Sequence, residues 1–396
     1  MTIDEIARLD EKYYCPVFGK RLPVEFVRGE DVYLFDSAGK RYIDFLSGIA
    51  TNCLGYSDEG YKQALCDTIG SLMHTSNYFY SEVQVRLAEK LCTATGYDNV
   101  FLANSGAEAV EGALKLARKY HFAKGRPRTE IITMQGSFHG RTLATLAATG
   151  QAKFHEAFRP LIEKFTYVPV NDIAALTAAV SDSTAAVLVE PILGEGGIIP
   201  VTPEYFQAIR RLCDRHGALM IADEIQTGMG RTGALLASPA LGAAPDIVVL
   251  AKSLGNGFPV GAFLARGAAA QAFAPGDHGS TFGGNRMACA AAYYVVCKLT
   301  ETDILSHVAE VGAYFLGRLA SLKADCPAIA DVRGRGLMLG AELVPSVSAM
   351  EIKKALLDAG FVTATAGQNV LRFLPPYVIQ THHIDALIDA LKDLLK

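Results

Sequence analysis

The sequence predicts an α/β fold in which a large, mostly parallel sheet domain is joined by a smaller α+β domain. From about residue 98 to 265, short apolar or β-branched runs alternate with longer helical patterns, which is typical of a parallel sheet covered on both faces. Beyond residue 285, long helical patterns come first and strand patterns follow. The length of 396 residues exceeds one ordinary domain and supports a division of this kind.

The elements follow in three regions. Residues 27–46 have a hairpin pattern, with Asp36-Ser-Ala-Gly-Lys40 as its turn. The central region predicts strands at 99–103, 130–134, 186–189, 219–222, 247–250 and 262–265, and helices such as 107–123 and 203–216. The C-terminal region predicts helices at 287–300 and 303–323, then strands at 337–342, 361–365 and 370–374. We therefore predict an N-terminal segment (1–55) that packs with the small domain, a large domain (56–290) and a small domain (291–396).

The composition excludes several classes of function. The chain carries 37 basic and 41 acidic residues without any block of like charge, which argues against nucleic acid or an anionic membrane as its partner. Its eight cysteines are scattered with no C-x-x-C spacing, so neither a metal site nor a disulfide framework is predicted. The N-terminus has the pattern of neither a secretory signal nor a transit peptide, and no apolar run reaches membrane-spanning length. We expect a cytoplasmic protein that binds small molecules.

Polar residues follow several of the predicted strands. In sheets of this class, ligands bind beyond the carboxyl ends of the strands. The segments predicted to lie along that edge are Asn104-Ser-Gly106, Ser137-Phe-His139, Glu190, Asp223 and Lys252.

Asp223 and Lys252 each end an apolar run, and together they indicate a pyridoxal phosphate site. A lysine amine can hold the cofactor aldehyde as a Schiff base, and a carboxylate can keep the pyridine nitrogen protonated so that the ring accepts electrons. Either residue alone is more typical of a solvated strand end, a helix cap or a turn.

Other segments are compatible with the same site. Ser105-Gly-Ala107 follows a strand and opens a helix, where free amides favour a phosphate, although an ordinary serine cap has the same pattern. Phe138 could stack on a planar cofactor, although an aromatic residue at such a position usually belongs to the core. Gly255 and Gly257 would allow close approach of the backbone to a ligand, as would the glycines of a flexible surface loop.

Seven segments together resemble the class III aminotransferases, and the resemblance extends from Gly29 to the last helix. They are N-S-G-A-E-A (104–109), S-F-H-G-R-T (137–142), E-P (190–191), G-E-G-G (194–197), D-E-I-Q-T-G-M-G-R-T-G (223–233), A-K-S-L-G-N-G (251–257) and H-G-S-T-F-G-G (278–284). So many segments in one order are far more specific than any one of them.

The resemblance implies the type I pyridoxal phosphate fold and a homodimer whose active sites lie at the subunit interface. Lys252 would hold the cofactor covalently and move the proton between the substrate carbon and the cofactor. The implied contacts of the other residues are Asp223 with the pyridine nitrogen, Gln226 with the phenolic oxygen, Phe138 with the ring face, Ser105, Gly106 and Ala107 with the phosphate, and Thr281 with the phosphate of the partner subunit.

The same resemblance implies how two substrates share one pocket. Arg372 would bind the α-carboxylate of glutamate, and Arg141 its side-chain carboxylate. With an ω-amino substrate, Glu195 would pair with Arg372, and Arg141 would bind the distant carboxylate. Without the resemblance, each arginine would be interpreted as a member of a surface or structural ion pair. Ile49 stands where ornithine enzymes carry Tyr, which favours a donor other than free ornithine.

The reaction that this resemblance implies is a ping-pong transfer of the δ-amino group of N-acetylornithine to 2-oxoglutarate, in arginine biosynthesis. Alternatives on the same fold are ornithine, 4-aminobutyrate, and succinylornithine or diaminopimelate derivatives as donors. An aminomutase, a decarboxylase or a cofactor-binding protein without catalysis remains open as well.

Three places depart from the family pattern. Gly55-Tyr-Ser-Asp-Glu59 replaces a G-H-x-H-P-like segment, Leu193 replaces the Gln of Q-G-E-G, and Arg286 replaces the Pro of G-G-N-P. These departures bear on specificity for the tail of the substrate and on subunit contacts. None of them affects the residues expected to act on the cofactor.

Overall fold

A computed structural model describes the whole chain, residues 1–396. Its strands are β1 (Phe26–Glu30), β2 (Tyr33–Asp36), β3 (Arg41–Asp44), β4 (Asn99–Ala103), β5 (Glu130–Met134), β6 (Phe165–Val168), β7 (Thr184–Val189), β8 (Ile192–Leu193), β9 (Ile199–Pro200), β10 (Leu219–Asp223), β11 (Ile247–Leu250), β12 (Gly261–Ala265), β13 (Ile329–Arg335), β14 (Met338–Leu343), β15 (Phe361–Val362), β16 (Ala364–Ala366) and β17 (Val370–Phe373). Its helices are α1 (Ile3–Tyr13), the single turn α2 (Ser47–Ala50), α3 (Glu59–Ser71), α4 (Glu82–Thr95), α5 (Gly106–Ala123), α6 (Leu143–Ala148), α7 (Ile173–Ala179), α8 (Pro203–His216), α9 (Gly267–Ala270), α10 (Arg286–Glu301), α11 (Ile304–Asp325), α12 (Ala349–Asp358) and α13 (Thr381–Leu394).

A seven-stranded sheet in the order β4-β12-β11-β10-β7-β5-β6 forms the centre of the molecule. The predicted α/β fold is therefore confirmed, and all six strands predicted for the central region belong to this sheet. The structure adds β6, whose short run Phe165–Val168 was not predicted. β12 runs antiparallel to both β4 and β11. The connection from β11 to β12 contains only a 3-10 turn, which is too short for a helical crossover and so returns the chain antiparallel.

The central strands are buried on both faces. In β7, Val187 and Val189 join the larger apolar core, whereas Ala186 and Leu188 point the other way into a second core beneath α5. Every residue of β7 is buried, which explains why its sequence is a continuous apolar run instead of an alternating pattern.

The N-terminal segment and the C-terminal region share a sheet. Its order is β1-β2-β3-β15, and Phe361 of β15 pairs with Ile43 of β3 in parallel register. A second four-stranded sheet has the order β13-β14-β17-β16. The predicted strand 361–365 is thus two strands in two sheets, separated at the buried Thr363. The domain bounds at 55 and 290 stay predictions.

None of the helices is both long enough and apolar enough to span a bilayer.

Candidate active site

A cavity of about 400 Å³ lies at the carboxyl edge of the central sheet. Segments that follow β4, β5, β7, β10 and β11 line it, because the carboxyl ends of parallel strands meet at one edge. The structure brings together most of the predicted site residues here, namely Ser105, Gly106, Ala107, Phe138, Arg141, Glu195, Asp223, Gln226 and Lys252.

Asp223 is the last residue of β10, and its carboxylate is almost fully buried. Its Oδ2 accepts a hydrogen bond from Nδ1 of His139 at 2.7 Å, and its Oδ1 accepts one from the amide of Ile225 at 3.1 Å. Nε2 of His139 lies 3.2 Å from the hydroxyl of Thr133. The histidine therefore orients the carboxylate, a role that the sequence analysis did not assign to it.

Lys252 begins the 3-10 turn that follows β11, two residues beyond the end of that strand. Its backbone φ is +47°, a left-handed conformation that is strained for a residue other than glycine and that recurs at functional sites. The pKa of Lys252 is lowered from 10.5 to about 8, chiefly by burial; the charge of Glu195 opposes this fall and that of Arg372 adds to it. A measurable share of this amine is therefore uncharged near neutral pH.

Glu190 is a second buried carboxyl group of the cavity to which the sequence analysis gave no role. It follows β7 directly, so the signal was the same as for Asp223: one polar residue at the end of an apolar run. It accepts hydrogen bonds from the amides of Phe138 (2.9 Å) and Gly194 (3.0 Å). Its pKa is raised to about 7, chiefly by burial; His139 opposes this rise and the charge of Asp223 adds to it.

One end of the cavity is the N-terminus of α5. The hydroxyl of Ser105 caps this helix by accepting a hydrogen bond from the amide of Glu108 at 3.2 Å. The amides of Gly106 and Ala107 line the cavity and have no acceptor within the chain, as expected for the first turn of a helix. A Cβ atom at Gly106 would lie 2.7 Å from Cδ1 of Ile225, so a larger residue there would displace the tip of that side chain.

The opposite wall holds an ion pair between Arg372 and Glu195. Arg372 lies on β17, is almost fully buried, and donates from Nη1 to Oε1 of Glu195. Burial by itself would raise the pKa of Glu195, but the Arg372 guanidinium outweighs it and lowers that pKa below its usual range. The glutamate is therefore held ionised against the arginine.

Arg141 lies at the exposed side of the cavity. Its guanidinium stacks 3.9 Å from the ring of Phe154 and 5.4 Å from that of Phe138. A cation held by aromatic faces keeps its N–H donors available to an incoming carboxylate.

Three predicted residues do not line this cavity. One is Arg372, which is connected to it through its ion pair with Glu195. Ile49 is exposed on the turn α2, and it is its near neighbour Thr51 that reaches the cavity wall. No sequence pattern predicted Thr51 as a site residue, because only the fold of α2 places it at the cavity wall. Thr281 lies in a separate surface depression with Tyr78 and His278, so its role at the site of a partner subunit stays a prediction.

The polar groups of the cavity match the parts of pyridoxal phosphate. The free amides of Gly106 and Ala107 suit a phosphate. The amide oxygen of Gln226 is buried without a hydrogen-bond partner and can accept a hydrogen bond from a donor of a bound group. Lys252 supplies an amine, and Asp223 supplies a carboxylate already oriented by His139. The residues present therefore fit the cofactor.

Comparison with known proteins agrees with this chemistry. The family model for aminotransferase class-III matches residues 14–395. The acetylornithine aminotransferase of Methanocaldococcus jannaschii is 46% identical, over 98% of this chain and 96% of its own length.

Two solved structures share the fold across nearly their whole length. The N-acetylornithine aminotransferase of Stenotrophomonas maltophilia has a TM-score of 0.84 at 37% identity, and covers 98% of this chain and 97% of its own. An ornithine aminotransferase of Toxoplasma gondii, described with partial occupancy of pyridoxal phosphate at its active site, has a TM-score of 0.95 at 32% identity, and covers 100% and 94%. The chain is therefore an aminotransferase, and it belongs to class III of these pyridoxal phosphate-dependent enzymes.

Proposed function

We propose that this chain transfers the δ-amino group of N-acetylornithine to 2-oxoglutarate, with pyridoxal phosphate in the cavity at the edge of the central sheet. The observation that carries the proposal is that Lys252, Asp223 and Glu195 line one cavity, with Arg372 paired to Glu195. When bound, the cofactor supplies an electron sink for the substrate carbon that loses its proton.

Lys252 holds the cofactor and moves the proton. Its lowered pKa keeps part of the amine uncharged, as a nucleophile and a base both require. The turn that begins at Lys252 keeps Nζ within the cavity instead of in bulk water.

Asp223 pairs with the pyridine nitrogen and stabilises its proton. The hydrogen bond from His139 fixes the direction of the carboxylate, and burial of both groups strengthens their interaction with a ring inside the cavity. Gln226 contacts the phenolic oxygen, Phe138 packs on the ring, and the amides at the start of α5 bind the phosphate.

Arg372 and Glu195 distinguish the two substrates. The α-carboxylate of glutamate displaces Glu195 and binds Arg372, while Arg141 binds the side-chain carboxylate. With N-acetylornithine, whose reacting amine is remote from its carboxylate, Glu195 stays on Arg372 and Arg141 binds the carboxylate. The switch exchanges one carboxylate for another on the same guanidinium, so no buried charge is left unpaired.

N-acetylornithine is favoured over other donors by the names of relatives such as the one from Methanocaldococcus jannaschii, and by Ile49 in the turn beside the cavity. The test is a screen of amine donors with 2-oxoglutarate, measured as glutamate formed. N-acetylornithine should have the highest kcat/KM among N-acetylornithine, N-succinylornithine, ornithine and 4-aminobutyrate. A clearly better donor would replace this assignment, and product without consumption of 2-oxoglutarate would point to a different reaction class.

The enzyme acts as a homodimer with its sites at the interface. An exposed apolar surface supports this proposal: Met73, Tyr78, Phe79, Tyr80 and Phe282 are all exposed, and Thr281 lies beside them. Light scattering should give twice the chain mass.

Subunit mixing tests the interface more sharply. Lys252→Ala and Thr281→Asp subunits should each be inactive alone, the second because a carboxylate would repel the phosphate of the neighbouring site. After random reassociation, half of the dimers contain one intact site, so about a quarter of wild-type activity should return. No recovery would show that Thr281 does not act across the interface.

The cytoplasm is the proposed location. All eight cysteines are free thiols, which fits a reducing compartment. Cell fractionation with an antibody against the chain tests it.

A further inference from the structure

The turn α2, which follows β3, has an unusual backbone. Ser47, Gly48, Ile49 and Ala50 have φ values of +46°, +62°, +67° and +63°. Four successive left-handed residues, three of them other than glycine, are strained, because a left-handed turn brings each Cβ too close to the following carbonyl oxygen. Such a turn persists only when surrounding contacts impose it.

The contacts that impose it also connect it to the active site. The hydroxyl of Ser253, next to Lys252, donates to the carbonyl of Ala50 at 2.8 Å. The hydroxyl of Ser47 donates at 2.6 Å to the carbonyl of Leu374, two residues beyond Arg372. The turn is therefore tied to the segments that carry the proposed catalytic lysine and the proposed substrate arginine.

A buried carboxylate anchors the start of the turn. Oδ1 of Asp44 accepts hydrogen bonds from the amides of Leu46 (2.7 Å) and Ser47 (2.8 Å). Its Oδ2 accepts one from the hydroxyl of Tyr56 at 2.6 Å, and Asn52 donates to the same hydroxyl at 3.3 Å. Burial raises the pKa of Asp44, and the hydrogen bond from Tyr56 is the largest opposing effect.

Tyr56 is one of the residues at which the chain departs from its family pattern. Its half-buried ring lies against Gly29, where a Cβ atom would approach Cγ of the tyrosine to 2.4 Å. The packing fixes the ring, and the ring fixes the hydroxyl on Asp44.

We propose that Tyr56 is a positioning residue for donor specificity: through Asp44 it holds the left-handed turn 47–50, and thereby keeps Thr51 at the wall of the cavity with Ile49 beside it. The choice of N-acetylornithine as the donor rests on the proposed function. The positioning of the turn by Tyr56 rests only on the hydrogen bonds described above. Arg372 is held within its own sheet by the pairing of β17 with β14 and β16, and Arg141 lies on another segment, so we expect binding of 2-oxoglutarate to depend on the turn less than binding of the donor does.

The variant Tyr56→Phe removes the hydroxyl and keeps the ring. We expect KM for N-acetylornithine to rise about tenfold, as for loss of a hydrogen bond to a charged group, with KM for 2-oxoglutarate changed less than about twofold. In the protein without substrates, amide exchange should become about tenfold faster in residues 46–52 and stay unchanged in β10.

A matched control is Tyr314→Phe, which removes a tyrosine hydroxyl that also donates to an aspartate at 2.6 Å, between α11 and α13. It should leave both KM values and exchange in residues 46–52 unchanged. In an Asp44→Asn background, Tyr56→Phe should add no further effect, because both changes break one chain of contacts.

The proposal is overturned if Tyr56→Phe leaves exchange in residues 46–52 unaltered, if it raises both KM values equally, or if the two variants act additively. If the wild-type enzyme forms no glutamate from N-acetylornithine, the proposed function fails instead. Amide exchange then decides the role of Tyr56 by itself.

Discussion

The two walls of the active-site cavity are built in different ways. The cofactor wall is made from the ends of adjacent strands of one sheet, and Asp223 pairs in register with Val249, three residues before Lys252. The substrate wall combines three distant segments: the strained turn α2, Glu195 between β8 and β9, and Arg372 on β17. The sheet itself holds the strand ends of the cofactor wall in place. The substrate wall depends instead on each contact between its separate segments.

This difference leads to distinct expectations for variants. A change in the cofactor wall should slow both half-reactions alike, because both use the same cofactor. A change in the substrate wall should separate them, because each substrate makes its own contacts there.

The largest effect is expected for Lys252→Ala. Without the amine, turnover should fall by about 10⁴-fold or more in both half-reactions, and the absorbance of the lysine-bound cofactor should be lost. Stopped-flow spectra of each half-reaction measure this. Lys354→Ala, which removes an exposed lysine on α12, should retain wild-type rates. Normal turnover by Lys252→Ala would show that the assignment of Lys252 is wrong.

Asp223→Asn should come next, with a loss of about 10³-fold in kcat. The amide keeps the shape of the side chain but no longer stabilises a proton on the pyridine nitrogen. Asp182→Asn is the matched control, since Asp182 also pairs with a histidine, His216, at 2.7 Å but on the exposed surface. A loss confined to one half-reaction would place Asp223 in substrate binding.

The lowered pKa of Lys252 predicts how the apoenzyme recombines with pyridoxal phosphate. Only the uncharged amine attacks the aldehyde, and its share rises as pH rises toward the folded pKa of about 8. The rate should increase about 50-fold between pH 6 and 8 and then level off. Free lysine measured in parallel should continue to gain rate above pH 8. A profile for the apoenzyme that follows free lysine would contradict the burial of the amine.

The smallest effect is expected for Glu195→Gln. An uncharged side chain leaves Arg372 without its counterion when N-acetylornithine is bound, so kcat/KM for this donor should fall about tenfold while that for glutamate does not fall. Glu342→Gln disrupts another glutamate–arginine pair, with Arg333 at 2.5 Å, and should change neither value. Equal losses for both substrates would mean that the two walls do not act separately.

Much of the cofactor wall could be predicted from sequence. The strands at 99–103, 130–134 and 247–250 have the predicted bounds, because apolar runs between glycine or polar residues are local signals. One polar residue at the end of such a run then lies at the carboxyl edge. Glu190 carried the same signal and could have been assigned with Asp223.

Less of the substrate wall could be predicted from the sequence. The strand at 361–365 proved to be two strands, and the handedness of α2 had no signal beyond one glycine, Gly48. The contacts that hold α2 join residues about 200 and 327 positions apart in the chain, such as Ser253 with Ala50 and Ser47 with Leu374.

The sequence by itself determined the class of fold, the largely parallel character of the central sheet and the polar residues that follow its strands. These follow from periodicity and from polar residues at strand ends, which are local properties of the chain. Only the tertiary structure decided that β12 runs antiparallel, that His139 donates to Asp223, that Thr51 reaches the cavity and that Tyr56 donates to Asp44. Each of these depends on groups far apart in sequence, whose proximity is a consequence of packing and not of local preference.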